Sequence, residues 1–323
     1  MKRFSLIFLI LVLSLSLILG GCGAKEQAES PDASNVQPEK VYELSIVNEY
    51  MDTHNSIVNG LVPWIEEMEQ KSDGRLKFTY YNPNTICPQK DVYDSTVSGM
   101  IDIGTGYPGN YPGKFPLNTV LELPFIAPSA EAGSLVAWEL YKKYPEWQAE
   151  YSDTKMLWQW ASATFNLHTV NKPVKTLEDL KGMKIICWSP TMSDIIRHLG
   201  ANPIEMTPTD TYLALERGTA DGVSCPLAPI RSYKISDATK YHTIVDMSVG
   251  AFFGVMNQEK FDSLPADLQN LLVEETGEKL ARIYGKTLDE GAMNDAVWLK
   301  ENGHEFYVLP EEEKTRWIEA ITP

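Results

Sequence analysis

Cysteine and histidine are scarce in this chain, which has 4 Cys and 5 His among its 323 residues. Apart from Cys22 near the N-terminus, the cysteines form an odd set that excludes a complete disulfide framework in an exported protein: Cys87, Cys187 and Cys225. Cys187 and Cys225 lie at the ends of two predicted strands, where they could form a disulfide or line a pocket as two small apolar groups. No Cys or His residues have the spacing of metal ligands, so we expect neither a metal site nor a cofactor.

Motifs typical of exported enzymes are missing as well. The chain contains no Gly-x-Ser-x-Gly nucleophile turn, no His-Glu-x-x-His motif and no glycine-rich phosphate-binding loop. Its serines, histidines and aspartates form no recognisable catalytic arrangement. We therefore expect a protein that is not an enzyme.

Basic residues are also fewer than acidic ones, with 28 Lys and Arg against 44 Asp and Glu. A strongly acidic surface disfavours binding to nucleic acid or to anionic lipid through charge. No Arg occurs between residues 76 and 196. This long segment therefore lacks the side chain best suited to hold a carboxylate through two parallel hydrogen bonds.

The first residues predict export and a lipid anchor. A basic N-terminus precedes an apolar run from Phe4 to Leu19, which is typical of a signal peptide and too short for a membrane span. Cys22 directly follows two glycines and resembles the lipidated cysteine of a bacterial lipobox, although an ordinary signal peptide with a chance cysteine is the alternative. Residues 1–21 would be removed, and residues 22–40 would form a flexible tether. We expect a protein anchored to the cell membrane on its extracytoplasmic face, in the periplasm if the cell has two membranes.

Beyond the tether, predicted strands alternate with predicted helices, which indicates an α/β fold with largely parallel sheets. Helix signals are clear in places. Ser189 and Pro190 predict the cap and first residue of one helix. A long helix is predicted to begin at Pro265, with an inner face through Ala292, and to be weakened at Gly277, Gly285 and Gly291. The length favours two domains, and a cleft between domains is a common place for a small ligand.

Several motifs occur in the order and spacing of one protein family. The segment Thr176-Leu-Glu-Asp-Leu-Lys-Gly-Met-Lys-Ile is similar to the family pattern ED-LKG-K-I. Three further motifs follow in step: Gly200-Ala-Asn-Pro, Tyr212-Leu-Ala-Leu-Glu-Arg-Gly with Ala220-Asp-Gly, and Ser263-Leu-Pro-Ala-Asp-Leu-Gln. Over about residues 42–300 the chain thus resembles the DctP-like solute-binding proteins of tripartite ATP-independent periplasmic (TRAP) transporters. Each motif alone is weak, but the ordered set is specific.

The resemblance implies a two-lobe clamshell of the periplasmic-binding-protein type, with a long helix bridging the lobes. Lobe I would comprise residues 41–163 and 252–290, and lobe II residues 164–251 and 291–323. Such a protein would capture a small organic solute by hinge closure and deliver it to two membrane permease subunits driven by an ion gradient. A ligand-sensing subunit of a membrane receptor is an alternative that the sequence leaves open.

This chain departs from the family at the ligand clamp. The family usually holds a substrate carboxylate with Arg, but the positions that match its two common arginines carry Ile186 and Asn166, and Cys225 stands where the family usually has Asn. A buried carboxylate without a cationic partner is costly. Either other donors hold the anion, such as the backbone N–H groups of the helix that follows Ser189, or the ligand is not a simple anion.

Acidic and aromatic side chains favour the second interpretation. Glu49 and Asp52 follow the first strand, where this family lines its cleft, and several aromatic rings, including Tyr50, are expected nearby. Aromatic faces beside a carboxylate suit an amine. We therefore favour a neutral, aromatic or amine-like solute, with an organic acid held by other donors as the alternative. The predicted ligand-binding residues are Glu49, Asp52, Tyr107, Asn166, Ile186, Trp188, Cys225 and Phe252.

Overall fold

The computed structural model describes residues 40–322. Within that range the chain forms strands β1 (Tyr42–Val47), β2 (Leu76–Tyr81), β3 (Ile103–Gly106), β4 (Thr154–Ala161), β5 (Phe165–Thr169), β6 (Lys184–Cys187), β7 (Asn202–Glu205), β8 (Gly222–Pro226), β9 (Tyr241–Ile244), β10 (Ala251–Asn257) and β11 (Glu305–Val308).

The helices of the same range are α1 (Val62–Lys71), α2 (Val92–Val97), α3 (Ala130–Lys143), α4 (Pro145–Ala149), α5 (Leu177–Leu180), α6 (Pro190–His198), α7 (Pro208–Glu216), α8 (Ile235–Ala238), α9 (Gln258–Asp262), α10 (Ala266–Glu275), α11 (Glu278–Glu301) and α12 (Glu311–Ile321). A π-helical turn (Ile57–Leu61) precedes α1, and short 3₁₀ turns lie at Gln89–Asp91, Pro108–Asn110 and Asn118–Glu122.

The strands form two mixed sheets. The first has the order β2-β1-β3-β10-β4, in which β1 is parallel to β2 and β3 while β10 is antiparallel to β3 and β4. The second has the order β11-β9-β5-β8-β6-β7, in which β5 is antiparallel to both of its neighbours. The chain passes from the first sheet to the second after β4 and returns at β10. The α/β architecture predicted from the sequence is confirmed, but the sheets of the described residues are mixed and not largely parallel, because four of their nine strand pairs are antiparallel.

Helix α11 connects the hydrophobic cores of the two sheets. Leu280, Tyr284 and Leu288 on its N-terminal half pack into the core beside the first sheet. Leu299 near its C-terminus packs into a core of the second sheet that also contains Ile186. One helix therefore bridges the two lobes, as the sequence predicted.

The long helix predicted from Pro265 is interrupted at Gly277. This residue has φ +57°, a value that glycine adopts readily and other residues rarely, and its N–H donates a hydrogen bond to the Leu157 carbonyl at 2.7 Å. A Cβ at this position would lie 2.7 Å from the Trp138 ring. The segment therefore forms two helices, α10 and α11.

Among the described residues, no helix has both the length and the apolar composition needed to span a bilayer. The predicted signal peptide, Cys22 and all of the tether except Lys40 lie outside the described residues. The predicted lobe limits stay a prediction.

Candidate functional site

A cavity of about 550 Å³ is lined by residues of both sheets. The first sheet contributes Phe252 on β10 and Tyr107 directly after β3, and the second contributes Phe165 on β5 and Trp188 directly after β6. Tyr233, from the segment between β8 and α8, completes the aromatic part of the lining. The size suits a small organic molecule.

The aromatic rings of this wall contact one another. The Phe252 ring lies 5.5 Å from that of Tyr107 and 5.7 Å from that of Tyr50, and it stacks on Trp160 at 5.3 Å with an interplanar angle of 12°. Successive side chains of a strand point to opposite faces, so the next residue, Phe253, is instead fully buried in a core. The Tyr50 and Tyr107 rings are tilted by 49° and 51° from the Phe252 ring, so the lining rings provide a preformed, angled aromatic surface for an aromatic or apolar ligand.

Three buried polar groups without hydrogen-bond partners lie on the segment that follows β1. They are one carboxyl oxygen of Glu49 (Oε2), the hydroxyl of Tyr50 and Nε2 of His54. Their residues line the cavity with exposed fractions of 8%, 8% and 1%. Buried polar groups are normally paired, so this group of atoms is a candidate for contact with a ligand.

Local contacts fix this segment in place. The Glu49 N–H donates to Thr105 Oγ1 at 2.7 Å, and the Glu49 carbonyl accepts from Gln89 Nε2 at 2.8 Å. The Tyr50 ring stacks on the His54 ring at 4.2 Å. The three polar groups are therefore held by backbone and ring contacts before any ligand binds.

At neutral pH all three groups are hydrogen-bond donors. Burial raises the pKa of Glu49 to about 8, with a hydrogen bond from Gln89 opposing part of that effect, so its carboxyl group is mostly protonated at pH 7. Burial lowers the pKa of His54 to about 3, and its Nδ1 lies 2.8 Å from Ser56 Oγ and 3.2 Å from the Ser56 N–H, a donor that can pair only with an unprotonated Nδ1. The neutral His54 ring therefore carries its hydrogen on Nε2.

A second buried carboxyl group lies close to Tyr107. Glu122 is 3% exposed, and burial raises its pKa to about 7, partly opposed by hydrogen bonds from Tyr107, Thr191 and Ser189. This acid interacts with side chains of the cavity wall without belonging to the lining itself.

Cationic side chains are nearly absent from the cavity. Among its lining residues, all of which are described, none is Arg, and the one cationic residue, Lys90, is exposed. Arg231 lies at a neighbouring, smaller cavity, where its Nε donates to Asp295 at 2.6 Å. An anionic ligand in the larger cavity would therefore depend on neutral donors.

The structure brings four of the predicted site residues together on the cavity wall: Glu49, Tyr107, Trp188 and Phe252. The indole N–H of Trp188 donates to Thr211 Oγ1 at 2.9 Å, which fixes the ring. Ser189 caps α6 by accepting the Met192 N–H at 3.0 Å, as predicted, and Ser189 and Pro190 also line the cavity.

The other four predicted residues lie elsewhere. Asp52 is exposed, and its N–H donates to Asn82 Oδ1 at 2.7 Å. Asn166 Oδ1 accepts the N–H groups of Val245 and Asp246 at 2.7 and 2.9 Å, where it supports a turn in which Asp246 has φ +55°. Ile186 and Cys225 are fully buried in one hydrophobic core.

The neighbours of these residues line the cavity in their place. Phe165, Cys187 and Pro226 are lining residues, and each is adjacent in sequence to a predicted one. A shift of one residue along a strand exchanges its two faces. Cys187 and Cys225 are both free thiols.

Sequence reasoning missed His54 and Tyr233. His54 follows Glu49 by five residues on the same segment, so its position could have been inferred from the acidic loop after β1. Tyr233 lies between β8 and α8 with no pattern that distinguishes it from other surface aromatics.

The chain is similar to solved TRAP solute-binding proteins. One from Rhodoferax ferrireducens, in complex with copurified benzoate, has a TM-score of 0.83 and 26% identity, with 87% of this chain and 88% of that chain covered. Another from Bordetella bronchiseptica, with bound (R)- and (S)-mandelate, has a TM-score of 0.81 and 26% identity, with 86% and 89% covered.

The chain is also similar in sequence to the 2,3-diketo-L-gulonate-binding periplasmic protein YiaO of Escherichia coli, with 26% identity over 213 residues. The alignment covers 65% of this chain and 65% of that relative, slightly less than two thirds of its length. The family model of bacterial extracellular solute-binding proteins, family 7 (DctP), matches residues 47–323. With its two sheets and bridging helix, this chain therefore belongs to the DctP family of TRAP solute-binding proteins, a family of binding proteins and not of enzymes.

Proposed function

We propose that this protein captures a small aromatic organic acid in the cavity and delivers it to the membrane permease of a TRAP transporter. The observation that carries the proposal is the wall on which aromatic rings surround three buried, unpartnered donors: Glu49, Tyr50 and His54. The rings suit an aromatic group, and the donors suit an acceptor on the same molecule.

The donors favour an acid over an amine. An ammonium group needs acceptors, whereas His54 Nε2 carries a hydrogen and can only donate. The solved relatives that contain benzoate and mandelate, both aromatic acids, support the same choice. Of the two ligand classes that the sequence left open, we therefore propose the organic acid held by donors other than Arg.

Delivery requires a position at the membrane surface. We propose that Cys22 is lipidated and that the protein works outside the cytoplasm, close to two permease subunits. Replacement of the thiol in Cys22→Ser is expected to move the protein from the membrane fraction to the soluble fraction after cell lysis. If the variant remained in the membrane fraction, the anchor at Cys22 would be disproved without affecting the solute-binding proposal.

The ligand class is tested by isothermal titration calorimetry and thermal unfolding with benzoate, mandelate, phenethylamine and succinate. At a concentration of 100 times the dissociation constant, a ligand should raise the free energy of unfolding by about 2.7 kcal/mol. We expect this effect with one or both aromatic acids. Tight binding of succinate or phenethylamine, with no response to the aromatic acids, would contradict the proposal.

The aromatic wall is tested by Phe252→Leu, which keeps an apolar side chain but removes the stacked ring. The expected loss is about fivefold in affinity for an aromatic acid, equivalent to about 1 kcal/mol of aromatic contact. Tyr80→Leu is the matched control, because Tyr80 is an exposed ring on β2 outside the cavity lining.

A further inference from the structure

We infer that solute capture is linked to a proton held on Glu49, whose carboxyl group donates its O–H to the carboxylate of the bound solute. This inference rests on the proposed function, because it assigns to the neutral carboxyl group of Glu49 the role that an arginine would have in holding a carboxylate in this cavity. The solute would be bound as an anion, and one proton would lie between two carboxyl groups.

The geometry places Glu49 in a suitable position. Glu49 is only 8% exposed and lines the cavity, and its Oε2 has no hydrogen-bond partner. The Tyr50 hydroxyl and His54 Nε2 on the same segment are also unpartnered. These three atoms are themselves buried, so a ligand carboxylate, which has lone pairs for about four hydrogen bonds, would reach them only after a small shift of these side chains.

The groups that face Glu49 provide no compensating positive charge. From its own segment these are Tyr50 and His54, and from other elements Tyr107, Tyr111 and Tyr233 interact with its charge. Glu122 lies beyond Tyr107, while exposed Glu205 and Lys90 lie on the cavity lining.

Ionised Glu49 would repel a ligand carboxylate in this setting. Two carboxylates that share a buried site favour a state in which one of them is protonated. Because burial raises the pKa of Glu49 to about 8, the proton is already present at pH 7, and an acid can bind without a large cost. Binding above pH 8 must first return the proton to Glu49.

Few other groups of the cavity titrate between pH 7 and pH 9. Burial raises the pKa of the tyrosines that face Glu49 and lowers that of His54 to about 3. Glu122 is the exception, since burial raises its pKa to about 7. A test must therefore separate Glu49 from Glu122.

The experiment is isothermal titration calorimetry of the folded domain with benzoate at pH 7, 8 and 9, in two buffers of different ionisation enthalpy. Benzoate is ionised throughout this range. For a group that titrates near pH 8, the affinity should fall about tenfold from pH 7 to pH 9, and proton uptake should rise from about 0.1 to about 0.9 per ligand.

Three variants assign the proton. Glu49→Gln supplies an amide donor at every pH, so its affinity for benzoate should change less than about twofold between pH 7 and pH 9. Glu122→Gln should keep most of the pH dependence of the wild type, and Glu301→Gln, at an exposed residue outside the cavity lining, should keep all of it. Circular dichroism and thermal unfolding confirm that each variant is folded.

The possible outcomes are distinct. Wild-type affinity that does not change with pH, or loss of the pH dependence in Glu122→Gln instead of Glu49→Gln, would overturn the assignment to Glu49 while leaving the proposed function intact. An affinity for phenethylamine that rises with pH, with proton release, would overturn both the assignment and the ligand class. If neither benzoate nor mandelate bound at any pH, the proposed function itself would fail.

Discussion

Two buried polar clusters in this protein differ in how their hydrogen bonds are completed. Beside the second sheet, His168 Nδ1 lies 2.8 Å from His242 Nδ1, and His242 Nε2 lies 2.9 Å from His304 Nδ1. Beside the first sheet, the carboxyl of Glu49, the hydroxyl of Tyr50 and Nε2 of His54 are buried with atoms that have no partner. The histidine chain is complete within the protein, whereas the cavity segment keeps buried polar atoms without a protein partner.

The histidine chain has one consistent arrangement of hydrogens when its rings are neutral. His168 Nε2 donates to the Cys225 carbonyl at 3.0 Å, which leaves Nδ1 of His168 as an acceptor. His242 must then donate from Nδ1 and accept at Nε2, and His304 must donate from Nδ1. Burial lowers the pKa of His168 to about 4 and that of His242 to about 2, which keeps these rings neutral.

The difference is between a buried cluster that is paired and one that is not. A fully paired cluster stabilises the fold and has no remaining capacity for a ligand. An unpaired cluster costs stability in the free protein, and this cost can be recovered on binding. The sequence placed Glu49 in the site but missed His54, because an isolated histidine forms no motif.

The largest expected effect of a single substitution on stability comes from breaking the histidine chain. His242→Leu removes the partner of both His168 and His304, and should lower the free energy of unfolding by about 3 kcal/mol because two buried polar groups lose their hydrogen bonds. Affinity for the solute should be unchanged, since none of these residues lines the cavity. Urea denaturation measures the change. His198→Ala, at an exposed histidine, is the control and should change stability by less than about 0.5 kcal/mol.

The next effect is on the pH dependence of the free energy of unfolding in the absence of ligand. The histidine chain loses stability as the pH falls, whereas the cavity segment loses stability as the pH rises. The histidine pKa values are lowered in the folded state, so their contribution is complete above pH 6.5 and is lost as the pH falls towards 4. The pKa of Glu49 is raised from 4.5 to about 8, so its contribution is lost as the pH rises through that interval.

Each titrating group should change the free energy of unfolding by at most about 1.4 kcal/mol per pH unit. Urea denaturation between pH 4 and pH 9 should show both limbs. In Glu49→Gln the loss of stability towards alkaline pH should become smaller, while the loss towards acidic pH stays. An unchanged alkaline limb in this variant would show that Glu49 does not titrate as proposed.

A smaller effect separates paired from unpaired hydroxyl groups. Tyr50→Phe removes a buried hydroxyl that lies beside the Trp160 indole N–H but forms no hydrogen bond with it by distance and angle. We expect the free energy of unfolding to rise by up to about 1 kcal/mol, while affinity for benzoate falls several-fold. In the matched variant Tyr151→Phe, which removes the acceptor of the Asn118 Nδ2 hydrogen bond at 2.8 Å, stability should fall by about 1 kcal/mol and affinity should not change. Changes of the same sign in both variants would contradict the comparison.

Much of the fold could be predicted because its signals are local. Ser189 and Pro190 mark the start of α6 through a cap and a proline that act within one turn of helix. The break at Gly277 was harder to predict, because it depends on a hydrogen bond to Leu157, more than a hundred residues away. The glycine indicated a weak point in the predicted helix, but it did not predict that the chain changes direction there.

The candidate site was predictable in its aromatic part and less so at the strands. Tyr107, Trp188 and Phe252 lie on the cavity wall, as expected for large rings placed at strand ends or on a strand. The strand positions Asn166, Ile186 and Cys225 were each one residue away from a residue that lines the cavity. Since a strand alternates its two faces, a small alignment error places the wrong side chain in the site, and a single sequence gives no means of detecting it.

The bridging helix α11 has a mechanical consequence. Leu288 is fixed in one hydrophobic core and Leu299 in another, so any rotation of one lobe against the other must bend or shift the segment between them. Gly291 lies within this segment, where it weakens the helix by removing a side chain and adding backbone freedom. Bending about three helical turns would therefore cost free energy in any rotation of the lobes, whatever contacts a solute makes in the cavity.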